Sequence, residues 1–152
     1  MANDVSAATI RPILKSELLA IYQLEKTVFG EHCYPDFFFR QGFDCWPEQF
    51  LVALEDDVPL GYILCAQASS SDTMWILSIA VSDLARGKGV GKRLIAQCLS
   101  QMPASITCVK LTVDPNNPAY ALYQRLGFVD SSFEDDYFGE NQARVVMSRI
   151  LG

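Results

Sequence analysis

The sequence predicts a single α/β domain, and three observations carry that expectation. Strand-like and helix-like stretches are intermixed along the chain, with no internal repeat, low-complexity tract or linker run between them. At 152 residues, half of them hydrophobic, the chain has the size of one compact unit with a sizeable buried core. Finally, an apolar stretch over residues 75–81 hands over to an amphipathic pattern whose apolar positions are Val90, Leu94, Ile95, Cys98 and Leu99, the signature of a strand feeding a helix. The domain is expected to span residues 1–152, with residues 1–7 as a loose N-terminal stretch.

Each element has its own local signal. Residues 8–14 read as a first strand, after which Ser16 offers an N-cap to a helix carrying Leu18, Ile21, Tyr22, Glu25 and Val28. The aromatic stretch over 35–46 holds a short second helix. Residues 50–55 and 60–68 flank the turn Asp56-Asp57-Val58-Pro59 and form a hairpin, followed by a long strand over 74–81. Next come a helix over about 89–101, a strand over 107–113, and a helix over 118–126 closed by Gly127 at its C-cap. Two last strands, about 128–137 and 143–151, bring the expectation to seven strands and four helices.

Composition excludes several classes of function. A formal charge of −6 and a pI near 4.6 argue against broad nucleic-acid binding, which needs a basic face. The start has no basic segment followed by a long apolar one, and no stretch approaches ~20 uninterrupted apolar residues, so a soluble cytoplasmic protein with no membrane partner is expected. Five cysteines (33, 45, 65, 98 and 108) form no CxxC pair and His32 is the sole histidine, which argues against a disulfide framework and against a metal site. His32 and Cys33 spell a Cys/His catalytic pair on paper, but sequence neighbours rarely face each other, and a thiol hydrolase is the weaker reading.

Against this acidic background one loop is basic. "LARGKGVGKRL", residues 84–94, places Arg86, Lys88, Lys92 and Arg93 around Gly87, Gly89 and Gly91, at the turn from strand to helix. A helix N-terminus offers unpaired N–H groups and partial positive charge, and glycines let a phosphate approach the backbone. Spacing narrows the ligand. A Walker A loop fails because positions 86 and 93 are both Arg, and a dinucleotide fingerprint fails because position 92 is Lys. What remains from Arg86 to Gly91 fits Arg/Gln-x-x-Gly-x-Gly/Ala, and here the sequence resembles the GCN5-related N-acetyltransferases (GNAT), whose acetyl-coenzyme A pyrophosphate loop follows a strand with this pattern. A second match supports the first: Asn116, Ala119, Leu122, Tyr123, Gly127 and Phe128 resemble the family's later segment.

The resemblance covers about residues 8–150 and implies a mixed, mostly antiparallel central sheet of about seven strands, splayed between strands 4 and 5, with the cosubstrate in the split. It implies that the backbone of Ile79, Ala80 and Val81 pairs with the pantetheine arm. It also implies that N–H groups over Arg86, Gly87, Lys88, Gly89, Val90, Gly91 and Lys92 hold the pyrophosphate. Asn116 would bond the pantetheine arm or brace the helix start. Tyr123 would sit by the sulfur and protonate the coenzyme A thiolate that leaves when an amine attacks the thioester. The positions where some family members carry a general base fall on Trp75 and Thr112, which are not bases. A water relay or a carboxylate elsewhere, such as Glu25 or Asp136, is then required.

On the acceptor side, residues 133–140 set four acids beside the aromatics Phe133, Tyr137 and Phe138 in the presumed final hairpin. Acetyltransferases acting on protein N-terminal amines have a similar Tyr-aromatic-Gly turn, so the resemblance makes Asp136, Tyr137 and Phe138 candidate acceptor contacts; the ribosomal-protein alanine acetyltransferases, which the chain also resembles, carry Glu where Thr112 stands, a departure from that subfamily. An acidic mouth favours a cationic amine. The expected activity is direct acetyl transfer from acetyl-coenzyme A to a primary amine without a metal, the acceptor being a protein or peptide N-terminus. The alternatives are a small amine such as a polyamine or aminoglycoside, or a non-catalytic acyl-coenzyme A sensor. A monomer or homodimer is expected.

Overall fold

The computed structural model describes residues 8–85 and 87–151. Among them the strands are β1 (Thr9–Pro12), β2 (Phe50–Glu55), β3 (Val58–Gln67), β4 (Thr73–Val81), β5 (Cys108–Val113), β6 (Val129–Glu134) and β7 (Arg144–Ile150). The helices are α1 (Leu18–Phe29), α2 (Asp36–Cys45), α3 (Val90–Ser100) and α4 (Ala119–Arg125). The hydrogen-bonded strand order is β1-β2-β3-β4-β5-β7-β6, and β4 with β5 is a parallel pair in an otherwise antiparallel sheet. This is the mixed α/β architecture the sequence predicts. No described helix is long and apolar enough to cross a membrane.

The contacts divide the chain into two compact units, with β4 contributing to both. In the first, which holds the described residues up to Cys65 and Ser78–Gln101, the β2–β3 hairpin closes on a two-residue turn. Asp56 and Asp57 both have positive φ (52° and 63°), as a turn matching the right-handed strand twist requires. Alternation along β3 then sorts its side chains. Tyr62 and Leu64 join Ile13, Ile21, Phe39, Phe50 and Val52 in one core, where the Phe39 and Tyr62 rings meet nearly edge to face with centroids 5.7 Å apart. Gly61 and Cys65 point the other way, towards α3: the Cys65 and Cys98 sulfurs lie 2.9 Å apart, and burial helps push the Cys65 thiol well above its ordinary pKa after its hydrogen bond with Cys98.

The entry to α1 differs from the expectation. Ser16 is exposed and caps nothing, because a 3-10 turn at Lys15–Glu17 precedes α1 and Glu17 fastens it. The Glu17 carboxylate accepts the Leu14 N–H at 2.8 Å and takes both terminal nitrogens of Arg11 at 2.9 and 2.6 Å. The Arg11 hydrogen bond holds the Glu17 carboxyl below its usual range.

In the second unit, Ala66–Leu77 and residues 102–151, β5 pairs with β7 over six residues on one side and with β4 over four on the other, from Thr73↔Cys108 to Ile76↔Leu111. Strand β4 runs on to Val81 and β5 to Val113 past that last pair. Helix α4 stops at Leu126, and Gly127 takes the left-handed conformation (φ 92°) that lets the Phe128 N–H return to the Tyr123 carbonyl at 3.0 Å. Strand β6 ends three residues earlier than expected because residues 136–142 form a turn, with the Gly139 N–H on the Asp136 carbonyl at 3.1 Å.

A Cβ on Gly61 would sit 2.8 Å from the Ala80 carbonyl oxygen and 3.3 Å from Leu94 Cδ1. The near atom is backbone and cannot swing away, so Gly61→Ala is expected to destabilise the protein by about 1–3 kcal/mol, read as a lowered denaturation midpoint.

Candidate functional site

Four segments carry the residues singled out by the sequence, two in each unit. In the part of β4 that belongs to the first unit, Ser78 and Ala80 are buried and Ile79 and Val81 half-buried. After Val81 the chain is fixed by the Ser82 N–H on the Leu60 carbonyl at 2.8 Å, then by a 3-10 turn at Asp83–Ala85 that Ser82 Oγ starts by accepting the Leu84 N–H at 3.2 Å. The Lys88 N–H returns to the Ala85 carbonyl at 3.1 Å. Arg86 lies outside the described residues.

The glycines of this turn have distinct tasks. Gly87 (φ 81°) and Gly89 (φ 73°) occupy the left-handed region, which an L side chain adopts at a cost. Gly89 is the N-cap of α3, with no side-chain cap bond, and its carbonyl takes the Arg93 N–H at 3.0 Å. Val90 is buried and anchors the helix, whereas Gly91 opens its first turn. The first N–H groups of a helix have no intrahelical acceptor, so this exposed, glycine-lined turn presents donors and the positive end of α3 to an anion. Of the basic side chains, Lys88 Nζ is 3.5 Å from Glu55 Oε1, a part-exposed pair of little energetic weight, and Lys92 is exposed.

In the second unit, Asn116 is exposed and its N–H donates to Asp114 Oδ1 at 2.9 Å. The side chain that braces the start of α4 is Asn117, whose Oδ1 accepts the Ala119 N–H at 2.8 Å, so the bracing role assigned to Asn116 falls one residue later. Tyr123 is 7% exposed and stacks edge-on against Phe128, with centroids 6.2 Å apart. Burial pushes its phenol up to about 12, so the hydroxyl stays protonated through the working pH range. Among the described residues no buried side-chain nitrogen or oxygen lacks a hydrogen-bond partner.

The turn after β6 is aromatic as expected. Tyr137 and Phe138 meet at 4.8 Å between centroids, Phe138 is 54% exposed, and the Arg144 guanidinium covers its ring at 5.1 Å. Asp136 shapes the turn, accepting the Asn141 N–H at 3.0 Å. Trp75 carries Lys110 over its ring at 5.9 Å, and neither Trp75 nor Thr112 supplies a basic atom. His32 is exposed at the end of a single 3-10 turn, and no hydrogen bond joins its side chain to Cys33 among the described residues. Also among the described residues, no three His, Cys, Asp or Glu side chains converge as metal ligands.

A buried carboxylate was within reach of sequence reading only as one of two candidates. Glu25, on α1, is 1% exposed and accepts hydrogen bonds from the Tyr62 hydroxyl, from Ser78 Oγ at 3.3 Å and from the Tyr34 N–H at 2.8 Å. Its position inside an apolar helix stripe is the signal in the sequence; its partners leave none.

Comparison with known proteins gives the class to which this mixed sheet, with its parallel β4–β5 pair, belongs. The model of the Acetyltransferase (GNAT) family matches residues 17–128, and the chain belongs to this family. It is 31% identical over 126 residues to N-alpha-acetyltransferase 30 of Schizosaccharomyces pombe, covering 79% of this chain and 83% of that protein. It is 33% identical over 76 residues to L-2,4-diaminobutyric acid acetyltransferase of Nocardia farcinica, a match covering 49% of this chain and only 39% of that relative's length. Among solved structures, Arabidopsis thaliana Naa50 in complex with the bisubstrate analogue CoA-Ac-MVNAL superposes with a TM-score of 0.80 at 21% identity, over 94% of this chain and 98% of that one.

Proposed function

We propose that the chain transfers the acetyl group of acetyl-coenzyme A directly to a primary amine, the α-amine of a peptide or protein N-terminus. The observation that carries the reading is the extended identity to an N-alpha-acetyltransferase over most of both chains, joined to a glycine turn suited to a pyrophosphate. The naming of a coenzyme A–peptide conjugate in a protein of the same fold supports the pairing of these two substrates.

In this reading the backbone of Ile79, Ala80 and Val81 receives the pantetheine arm as an added strand would. The N–H groups from Gly87 to Lys92, at the start of α3, receive the pyrophosphate. Asn116 adds a polar contact to the arm. The amine nitrogen attacks the thioester carbonyl, the C–S bond breaks, and the departing thiolate takes the proton of Tyr123, whose phenol burial keeps protonated. Tyr137 and Phe138 line the acceptor side, and Asp136 and its acidic neighbours favour a cationic amine.

A second reading, acetylation of a small diamine, is favoured by the shorter match to the diaminobutyric acid enzyme. One experiment separates the two. Thiol release from acetyl-coenzyme A is measured with a panel of unblocked peptides, diaminobutyrate and a polyamine, and the products are mapped by mass spectrometry. Acetylation of peptide α-amines in preference to the small amines is expected; the reverse preference installs the second reading. Binding without thiol release for every amine contradicts both and leaves a sensor.

The pyrophosphate assignment has its own test. Gly89→Val puts a β-branched side chain where φ is 73° and where the ligand approaches, whereas Lys88→Ala removes one screened charge already paired with Glu55. Calorimetry is expected to show a loss of coenzyme A affinity of at least about tenfold for Gly89→Val and under about threefold for Lys88→Ala, with circular dichroism confirming the fold of both.

A further inference from the structure

Glu25 and Ser78 are the buried polar side chains among the described residues, and they belong to one cluster. The Tyr62 hydroxyl donates to Glu25 Oε1 and lies 2.5 Å from Ser78 Oγ, Ser78 Oγ is 3.3 Å from the same carboxylate oxygen, and the Tyr34 N–H fills Oε2 at 2.8 Å. Around them the core is apolar, with Ile21, Phe39, Phe50 and Leu64. A buried carboxylate here costs stability that a leucine or methionine of similar volume would not, so its presence calls for a task beyond packing.

Its surroundings indicate that task. Ser78 is 9% exposed, so the cluster reaches the edge of the core at that residue. It immediately precedes Ile79, the first of the three β4 residues assigned to the pantetheine arm. An ammonium acceptor must lose a proton before it attacks, and the positions that would hold a base carry Trp75 and Thr112. We propose that Ser78, Tyr62 and Glu25 form a proton relay that deprotonates the acceptor amine, with Ser78 facing the substrate and Glu25 as the terminal acceptor. This inference rests on the acetyl-transfer reading above.

The step balances without a further reactant. The ammonium N–H bond breaks and its proton passes to Ser78 Oγ, while the proton of Ser78 passes to Tyr62 Oη and the proton of Tyr62 to Glu25 Oε1. The carboxylate becomes a carboxylic acid, both hydroxyls end as they began, and the nitrogen keeps the electron pair with which it attacks the carbonyl. After product release the proton returns by the same path to solvent. The groups facing the carboxylate are Tyr62 from β3, Ser78 from β4 and the Tyr34 backbone ahead of α2, and the Tyr34 phenol is the further titratable group felt at Tyr62. Burial first, then the charge of Glu25, holds the Tyr62 phenol well above its ordinary pKa, so it carries a proton and does not act as an anion. Glu25 and Tyr62 act through Ser78 and are positioning residues in this sense.

The test is the pH dependence of kcat/KM, between about pH 6 and 10, for the full-length wild type and Glu25→Gln, Tyr62→Phe and Ser78→Ala, using whichever amine of the panel the wild type acetylates. Calorimetry with acetyl-coenzyme A and thermal melts accompany it. Glu25→Gln and Ser78→Ala are each expected to lose about 10²-fold near pH 7, and Tyr62→Phe less because Ser78 Oγ still reaches the carboxylate at 3.3 Å; all three recover as the pH passes the pKa of the free amine, about 8 for a peptide N-terminus, because solution then supplies the neutral nucleophile. Affinity for acetyl-coenzyme A should stay within about threefold of wild type. A loss equal at all pH values, or no loss, overturns the relay and leaves a packing role. Should Glu25→Gln fail to fold, Ser78→Ala interrupts the same path with the carboxylate in place and decides it. A wild type inert towards every amine overturns the function itself and the relay with it, whereas an active wild type with pH-independent variants overturns the relay alone.

Discussion

A carboxylate taken out of water must be met by donors, and meeting that demand at Glu25 organises the first unit. Three hydrogen bonds reach it from three segments: β3 through Tyr62, β4 through Ser78 and the turn before α2 through the Tyr34 N–H. None of these segments could shift by even an ångström without leaving a buried charge undersatisfied, a penalty larger than most packing losses. Helix α1 is thereby tied to the strand that leads into the glycine turn. The edge-to-face contact of Phe39 on Tyr62 holds the phenol in place from the other side.

Proton handling then links the two ends of the proposed reaction. Acetyl transfer to an amine removes a proton from nitrogen and supplies one to sulfur, and burial tunes a tyrosine for each end in a different way. Tyr123 stays a neutral phenol because burial disfavours its phenolate. Tyr62 also stays neutral, but its hydroxyl is fully engaged, so it can only pass a proton along a line already drawn. In the proposed reaction the same side-chain chemistry would serve as acid in one place and as conduit in the other.

What the sequence made legible follows the range of the interactions. The glycines at 87 and 89 need positive φ for reasons contained in a few residues, and the type of every helix and strand came from local periodicity, so turn, elements and family could be read directly. Helix starts were less legible: a 3-10 turn fastened by Glu17 precedes α1 where Ser16 was expected to cap it, and Asn117, not Asn116, accepts the Ala119 N–H, because the path of the chain into each helix decides which side chain meets a free N–H. The Glu25 cluster was out of reach. Its partners lie 37 and 53 residues away along the chain, and nothing in the local pattern of α1 announces which hydroxyls will meet it.

The claim at the centre of this account is that the protein moves an acetyl group by expelling a thiolate onto Tyr123. Steady-state turnover of Tyr123→Phe, with acetyl-coenzyme A affinity measured on the same preparation, tests it most directly, since the substitution keeps the ring and its contact with Phe128 and removes only the hydroxyl. The account predicts a fall in turnover of ~10²–10⁴ with affinity and melting temperature nearly unchanged. Turnover equal to the wild type would contradict it and return Tyr123 to the core.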